Sequence, residues 1–205
     1  LDHVDILNNT GHGIRGNGPK TFSYSNIKHQ SSYGVSGSGS VTLQTSSIDS
    51  NGAQGITGAT GTITADSTTI VGNTGQAIVS TSILEFTDVT VTGNGAGISS
   101  SGSATFEDVT LSNNAGYGLT SNGDKVFTDV TISNNDGHGV SGDGDKIFTD
   151  VTISNNNGHG VSGSGSVTLS RATVRENDQE GFTGYTNTFS ADTSSIVANG
   201  NGGMS

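Results

Sequence analysis

Three histidines of this chain stand in the same tripeptide, Gly-His-Gly, at His12, His138 and His159. Histidine is a common catalytic side chain, and two imidazoles that lie close together can share a metal ion. The two later tripeptides belong to nearly identical stretches, "SNNDGHGVSG" and "SNNNGHGVSG". Whether these histidines do chemistry therefore depends on what repeats around them.

Aspartates recur with comparable regularity. One set precedes valines and the other precedes lysines: Asp88, Asp108, Asp129 and Asp150, and then Asp124 and Asp145 before Lys125 and Lys146. Carboxylates stacked one repeat apart could form a weak Ca²⁺ site, and its candidate ligands are Asp124, Asp129, Asp145 and Asp150. The alternative is that these aspartates cap backbone N–H groups in turns, with the lysines offsetting part of the charge. No segment fits an EF-hand loop.

The repeat that carries these residues has a period close to 21. Residues 127–147 are followed at once by a near copy, and the period extends in both directions. It is marked by one apolar position in each unit: Ile6, Ile27, Ile48, Ile70, Val91, Leu111, Ile132, Ile153, Val174 and Ile196. A fixed period of this length indicates a solenoid of about ten coils, each of 20–22 residues.

Each unit reads as β-structure. Apolar residues alternate and are β-branched, as in Val130-x-Ile132 and Val151-x-Ile153. Residues that favour helices are scarce, while Gly, Asn, Ser and Thr are abundant. The sequence therefore predicts coils of short strands joined by bends.

An amide recurs three residues after each marker. The column holds nine asparagines and one glutamine: Asn9, Gln30, Asn51, Asn73, Asn94, Asn114, Asn135, Asn156, Asn177 and Asn199. Asparagine tolerates the left-handed bend conformation, and its amide can donate to one neighbouring coil and accept from the other. The column predicts a stacked amide ladder.

With this column, the chain resembles the right-handed parallel β-helices of the pectate-lyase-like kind over essentially its whole length. The resemblance implies an all-β, right-handed parallel β-helix. That architecture is used by lyases, hydrolases, epimerases, tailspikes and adhesins, so it implies no single function.

Two further apolar columns complete the predicted interior. One, nearly always preceded by glycine, is Ile14, Val35, Ile56, Ile78, Ile98, Leu119, Val140, Val161, Phe182 and Met204. The other is Phe22, Leu43, Ile63, Phe86, Phe106, Phe127, Phe148, Leu169 and Phe189.

The histidines fall in a column of mixed composition. Its members are His12, Tyr33, Gln54, Gln76, Ala96, Tyr117, His138, His159, Glu180 and Gly202. Polygalacturonases place a catalytic histidine in a similar tripeptide, but they also carry an Asp-Asp pair and an Arg-Ile-Lys-like element, which this chain lacks. The tripeptide is therefore part of the repeat, and no catalytic residue is predicted. The candidate ligand-binding residues are Tyr33, Tyr117, His138 and His159.

Hydroxyl side chains form a further outward row: Thr69, Thr90, Thr110, Thr131, Thr152 and Thr173. A second row, two residues on, is Thr92, Ser112, Ser133 and Ser154, with Val71 and Arg175 on either side. Such arrays resemble those of β-helical ice-binding proteins, and ordinary β-propensity on a solvated strand is the alternative.

Composition limits the partners. The chain has no cysteine and a formal charge of −11, with 7 basic and 18 acidic residues. This balance argues against nucleic acid, and no apolar stretch is long enough for membrane insertion. We expect an extracellular or cell-surface location, no cofactor other than Ca²⁺, and a glycan as the one external ligand.

No unit is much longer than its neighbours, so no loops surround a cleft. The sequence favours a non-enzymatic stalk, fibre or adhesin module. The alternative is a polysaccharide-active lyase, hydrolase or epimerase, and an ice-binding protein is a third candidate.

Residues 1–205 are predicted to form a single β-helical domain. Because neither end carries an evident cap, we expect it to be a segment of a larger protein. Its ends would then be covered by neighbouring β-helix or capping segments.

Overall fold

The computed structural model describes residues 1–205 as a parallel β-solenoid without helices. Its strands form two sheets that run the length of the stack. The nine-stranded sheet consists of β2 (Ile14–Arg15), β5 (Val35–Ser36), β8 (Ile56–Ala59), β10 (Gln76–Ser80), β12 (Ala96–Ser100), β14 (Leu119–Ser121), β17 (Val140–Ser141), β20 (Val161–Ser162) and β23 (Phe182–Thr183).

The 16-stranded sheet wraps around the other sides of each coil. It consists of β1 (Asp5–Leu7), β3 (Lys20–Ser23), β4 (Asn26–Lys28), β6 (Val41–Gln44), β7 (Ser47–Asp49), β9 (Ile63–Val71), β11 (Leu84–Thr92), β13 (Ala104–Ser112), β15 (Lys125–Thr128), β16 (Thr131–Ser133), β18 (Lys146–Thr149), β19 (Thr152–Ser154), β21 (Val167–Ser170), β22 (Thr173–Arg175), β24 (Phe189–Asp192) and β25 (Ser195–Val197).

The predicted register is confirmed at the marker column. All ten apolar markers from Ile6 to Ile196 pair with their neighbours in parallel strands. The column from Ile14 to Met204 pairs in the same way along the other sheet, and its last step is an isolated bridge between Phe182 and Met204. The buried core contains 36 apolar residues.

The predicted amide ladder is confirmed as well. The backbone N–H and the Nδ2 of Asn135 both donate to Oδ1 of Asn156, over 3.1 and 2.9 Å. Nδ2 of Asn135 also donates to the carbonyl of Leu111 (3.2 Å), so the amide connects three coils. Gln30 joins the ladder by accepting from Nδ2 of Asn9 at 2.8 Å.

The left-handed bend lies one residue earlier than the asparagine column suggests. Asn113, Asn134 and Asn155 have φ angles of 54°, 55° and 56°, whereas the ladder residues that follow them do not have positive φ. The left-handed residue turns the chain, and the next residue can then point its amide inward. The same position is occupied by Gly72 and Gly93 in earlier coils.

The third predicted apolar column is wrong at two positions. Ala65, not Ile63, pairs with Leu43, and Ala191, not Phe189, pairs with Leu169. The strand on this side has two inward positions, two residues apart. Where a coil has alanine at one of them, the sequence pattern favours the bulkier residue at the other, which belongs to the neighbouring column.

The second inward position explains an unexpected feature, two lysines in the interior. Lys125 and Lys146 follow Ala104 in this column and are 0% and 1% exposed. Nζ of Lys125 donates to the carbonyls of Gly123 (2.8 Å) and Asp143 (2.6 Å). Nζ of Lys146 donates equivalently to Gly144 and Ser164. The ammonium groups therefore satisfy carbonyls of the bends, in addition to offsetting the nearby aspartates.

Candidate functional site

The histidine column lies on the bend that leads into the nine-stranded sheet. The glycine that follows each histidine of the column closely approaches the next coil. A Cβ built on Gly139, for example, would lie 2.7 Å from the carbonyl oxygen of Gly160 and 2.6 Å from Cγ2 of Ile153. The glycine after each histidine is therefore required by coil stacking, as the repeat interpretation predicts.

His138 and His159 form the centre of this column. Their rings stack with centroids 5.0 Å apart and planes 20° from parallel. The backbone N–H of His159 donates to Nδ1 of His138 over 3.0 Å. Burial, and secondarily the charge of His159, lowers the pKa of His138. The two histidines are thus linked by a directional bond as well as by ring contact.

The other members of the column have different surroundings. Nδ1 of His159 lies 2.9 Å from Oε2 of Glu180, at ion-pair distance but without hydrogen-bond alignment. Tyr117 reaches over the small Ala96, so that its hydroxyl contacts Nε2 of Gln76 two coils away.

The structure therefore brings Tyr117, His138 and His159 together in consecutive coils. Tyr33 lies four coils from Tyr117 and stacks on His12 instead, with ring centroids 5.1 Å apart. In both stacks the rings cover each other's faces. Only one face of each ring is covered in this way.

The four candidate Ca²⁺ ligands fall into two separate pairs. Asp124 immediately precedes β15 and Asp129 immediately follows it, so one strand separates the two columns. Oδ1 of Asp124 accepts from the backbone N–H of Asp145 at 2.9 Å. Oδ1 of Asp145 accepts from the backbone N–H of Ser166 at 2.8 Å. These contacts are those of turn caps.

In the other pair, Asp129 and Asp150 are left-handed residues, both with φ of 55°. Nε of Arg171 donates to Oδ1 of Asp150 at 2.7 Å, and its Nη2 contacts Oδ2. This bidentate pair lowers the pKa of Asp150. No group of three or more His, Cys, Asp or Glu side chains gathers in a metal-binding arrangement. A cation at Asp150 would have to compete with the guanidinium.

The sequence did not reveal a shallow acidic groove on the outer face of β9, β11 and β13. It has a volume of about 390 Å³, and its acidic lining residues are Asp66, Glu85 and Glu107. Register places Thr87 between Asp66 and Glu107 in one outward column, with Glu85 in the adjacent column. The alternation along each strand places these carboxylates outward, but their grouping in one groove depends on the register between coils.

The hydroxyl rows are in register as predicted. Thr69 and Thr90 pair, and the row continues to Thr173. The second row runs from Thr92 to Ser154 and is bounded by Val71 and Arg175. The first row is partly or fully exposed, whereas Ser112 and Ser154 of the second row are buried, so only the first row gives this side of the solenoid a continuous row of accessible hydroxyls.

A sequence model of the family described as "right handed beta helix region" matches residues 71–205. Comparison with curated proteins and with solved structures gave no match. No helix of the chain is long and apolar enough to cross a membrane.

Proposed function

Because this chain belongs to the right-handed β-helix family, we propose that it acts as a rigid, non-enzymatic module of an extracellular stalk, fibre or adhesin. The observation that carries the proposal is the amide ladder, which links every coil to the next through bonds that are buried except at the two ends. From Asn51 to Asn199 each side-chain amide donates to the next over 2.8–3.2 Å. Ten coils are separated by nine steps of ~4.8 Å, which gives a rod of roughly 43 Å.

The composition of the surface supports a location outside the cell. The outward rows are hydroxyl and carboxylate side chains, and the formal charge is −11, which favours solubility over association with anionic surfaces. Within this proposal, a neutral or cation-bridged glycan is the ligand class that the exposed threonine row and the aromatic rings of the histidine column suit. Other β-helical or capping segments are the proposed partners at the ends.

The acidic groove supports a second candidate, a polysaccharide-active enzyme. Asp66 and Glu107 lie two coils apart, or ~9.6 Å between backbones. This backbone separation is just above the distance between the two carboxyl groups of inverting glycosidases, about 6.5–9.5 Å. Glu85 lies between them in the adjacent column.

One assay separates the two candidates. The wild-type chain is incubated with polygalacturonate or alginate, with and without Ca²⁺, and new reducing ends and unsaturated products are measured. Glu85→Gln and Glu107→Gln are the matched variants, because both residues are exposed and outward-facing. The rod proposal predicts no turnover by any of the three proteins. Turnover by the wild type that either variant abolishes, at an unchanged melting temperature, would overturn it in favour of the enzyme.

A further inference from the structure

The hydrogen bond between His138 and His159 fixes the protonation state of one imidazole. Nδ1 of His138 accepts the backbone N–H of His159 at 3.0 Å. A ring nitrogen that accepts a hydrogen bond carries no proton, so neutral His138 must be protonated at Nε2. A second proton can enter only at Nδ1, and it would remove the acceptor from the N–H of His159.

The groups around the pair make a positive charge on His138 unfavourable. On one side its ring faces that of His159, at 5.0 Å between centroids. The carboxylate of Glu180 contacts His159 rather than His138. In the coil on the other side, the equivalent position is the neutral Tyr117. The nearby carboxylate of Asp136, two residues before His138, is directed to another partner, since it accepts from Nδ2 of Asn157 at 3.2 Å.

We propose that the His138–His159–Glu180 column forms an acid-sensitive contact between adjacent coils, which we call the histidine contact. At neutral pH the ring of His138 holds the backbone of the next coil. On acidification, protonation at Nδ1 breaks that bond and places an imidazolium against His159, so this edge of the stack loosens. The inference is independent of the proposed function, since it concerns the stability of the bend rather than any external ligand.

The direction of the effect follows from linkage. Burial, and then the charge of His159, lowers the pKa of His138. Its folded pKa therefore lies below the unfolded value of about 6.5. Between these two values the unfolded chain binds more protons. The contribution of His138 is complete above about pH 6.5 and is lost as the pH falls through the folded pKa.

Nuclear magnetic resonance on the wild-type protein tests the bond directly. We expect neutral His138 to be protonated at Nε2. We also expect the protection factor of the His159 amide, corrected for intrinsic exchange, to fall about five- to tenfold between pH 7.5 and an acidic pH at which the ring resonances show that His138 is protonated, which corresponds to one net hydrogen bond. The amide of Gly34 is an internal control, because at the same bend of another coil it donates to the backbone carbonyl of Gln54 (3.1 Å) rather than to a histidine ring. An Nδ1-protonated His138 at pH 7.5, or an unchanged His159 protection factor, would overturn the proposal.

Two variants distinguish acid-induced loss of the histidine contact from a general loss of stability in acid. His138→Gln should fold, since Gln54 and Gln76 occupy the same column, and its melting temperature should fall less than that of the wild type between pH 7.5 and pH 5. His159→Gln keeps the backbone N–H at position 159 and the His138 acceptor, so the protection factor of that amide should still fall on acidification. Equal losses of melting temperature in His138→Gln and the wild type, or an acid-insensitive amide in His159→Gln, would contradict the mechanism.

Discussion

At the residue scale, the buried ladder amides have more partners than any other polar side chains of the coil. Oδ1 of Asn135 accepts from both the backbone N–H and the Nδ2 of Asn114, at 3.1 and 2.9 Å. Its Nδ2 donates in turn to Asn156 and Leu111. Asn135 is fully buried, so no water is available to replace a lost partner. Removing one amide therefore leaves buried donors and acceptors unpaired on both sides.

Asn135→Ala should accordingly lower the free energy of unfolding by at least ~2 kcal/mol, since each unsatisfied buried group costs about 1–3 kcal/mol. Chemical denaturation of the variant and the wild type measures the difference. The control is Asn134→Gly, at the exposed left-handed position where Gly72 and Gly93 stand in other coils. It should change stability by less than ~1 kcal/mol. Similar losses in the two variants would contradict the ladder's role.

Lys125 provides a pH-dependent test of the interior. Desolvation, with Lys146 as the second cause, lowers the pKa of Lys125 to about 8, below the ordinary value of 10.5. The unfolded chain therefore binds more protons between about pH 8 and pH 10.5, and the lysine's contribution to stability rises across that window.

The comparison is with Lys125→Met, which keeps the apolar stem. From pH 8 to pH 10.5 the wild type should gain ~1–3 kcal/mol in unfolding free energy relative to this variant. Denaturation at several pH values gives the difference. If the difference in unfolding free energy does not change with pH, the carbonyls of Gly123 and Asp143 hold the pKa of Lys125 at its ordinary value.

These residues also show what sequence could and could not predict. The ladder and the histidine column follow from the period alone, because each is one position in a 21-residue repeat. The interior lysines do not, since lysine is ordinarily exposed. Their burial depends on bend carbonyls whose positions only the folded coil defines. The bond from the His159 N–H to His138 likewise depends on side-chain orientation within the stack.

At the scale of elements, the remaining errors concern the choice between two inward positions of the same strand. The alternation along these strands could be read from the sequence, but in coils that have alanine at one inward position the sequence does not show which position continues the Phe22 column. That ambiguity misplaced Ile63 and Phe189. The aspartates next to β15 were identified correctly as a pattern. Their partners, backbone N–H groups and Arg171, could be assigned only from the structure.

The bend contacts lead to an expectation for Ca²⁺. Because Asp124 and Asp145 cap N–H groups and Asp150 pairs with Arg171, millimolar Ca²⁺ should leave the melting temperature unchanged. If Ca²⁺ bound a site of the folded chain and were present at 100 times its Kd, it would instead raise the free energy of unfolding by about 2.7 kcal/mol. Asp145→Ser, which places a serine where Ser166 stands in the next coil, is the control. A Ca²⁺-induced rise in the wild type that this variant lacks would establish the aspartate site.

At the scale of the molecule, the two sheets and the ladder form one continuous stack. The family match begins at residue 71, whereas the marker column pairs without interruption from Ile6 through Ile70. The early coils differ in composition: Ser25, Ser46 and Thr68 are buried where later coils have Val89, Val109 and Val130. The rod proposal requires that these coils be as firmly stacked as the rest.

Residue-resolved amide hydrogen exchange tests that claim most directly. Every ladder residue from Gln30 to Asn177 donates its backbone N–H to a side-chain oxygen of the next coil. We predict that these amides exchange slowly as one continuous set, with comparable protection factors at Asn51, Asn94 and Asn156. Fast exchange at Gln30 and Asn51 beside slow exchange from Asn94 onward would show that the first coils are not part of the rigid stack.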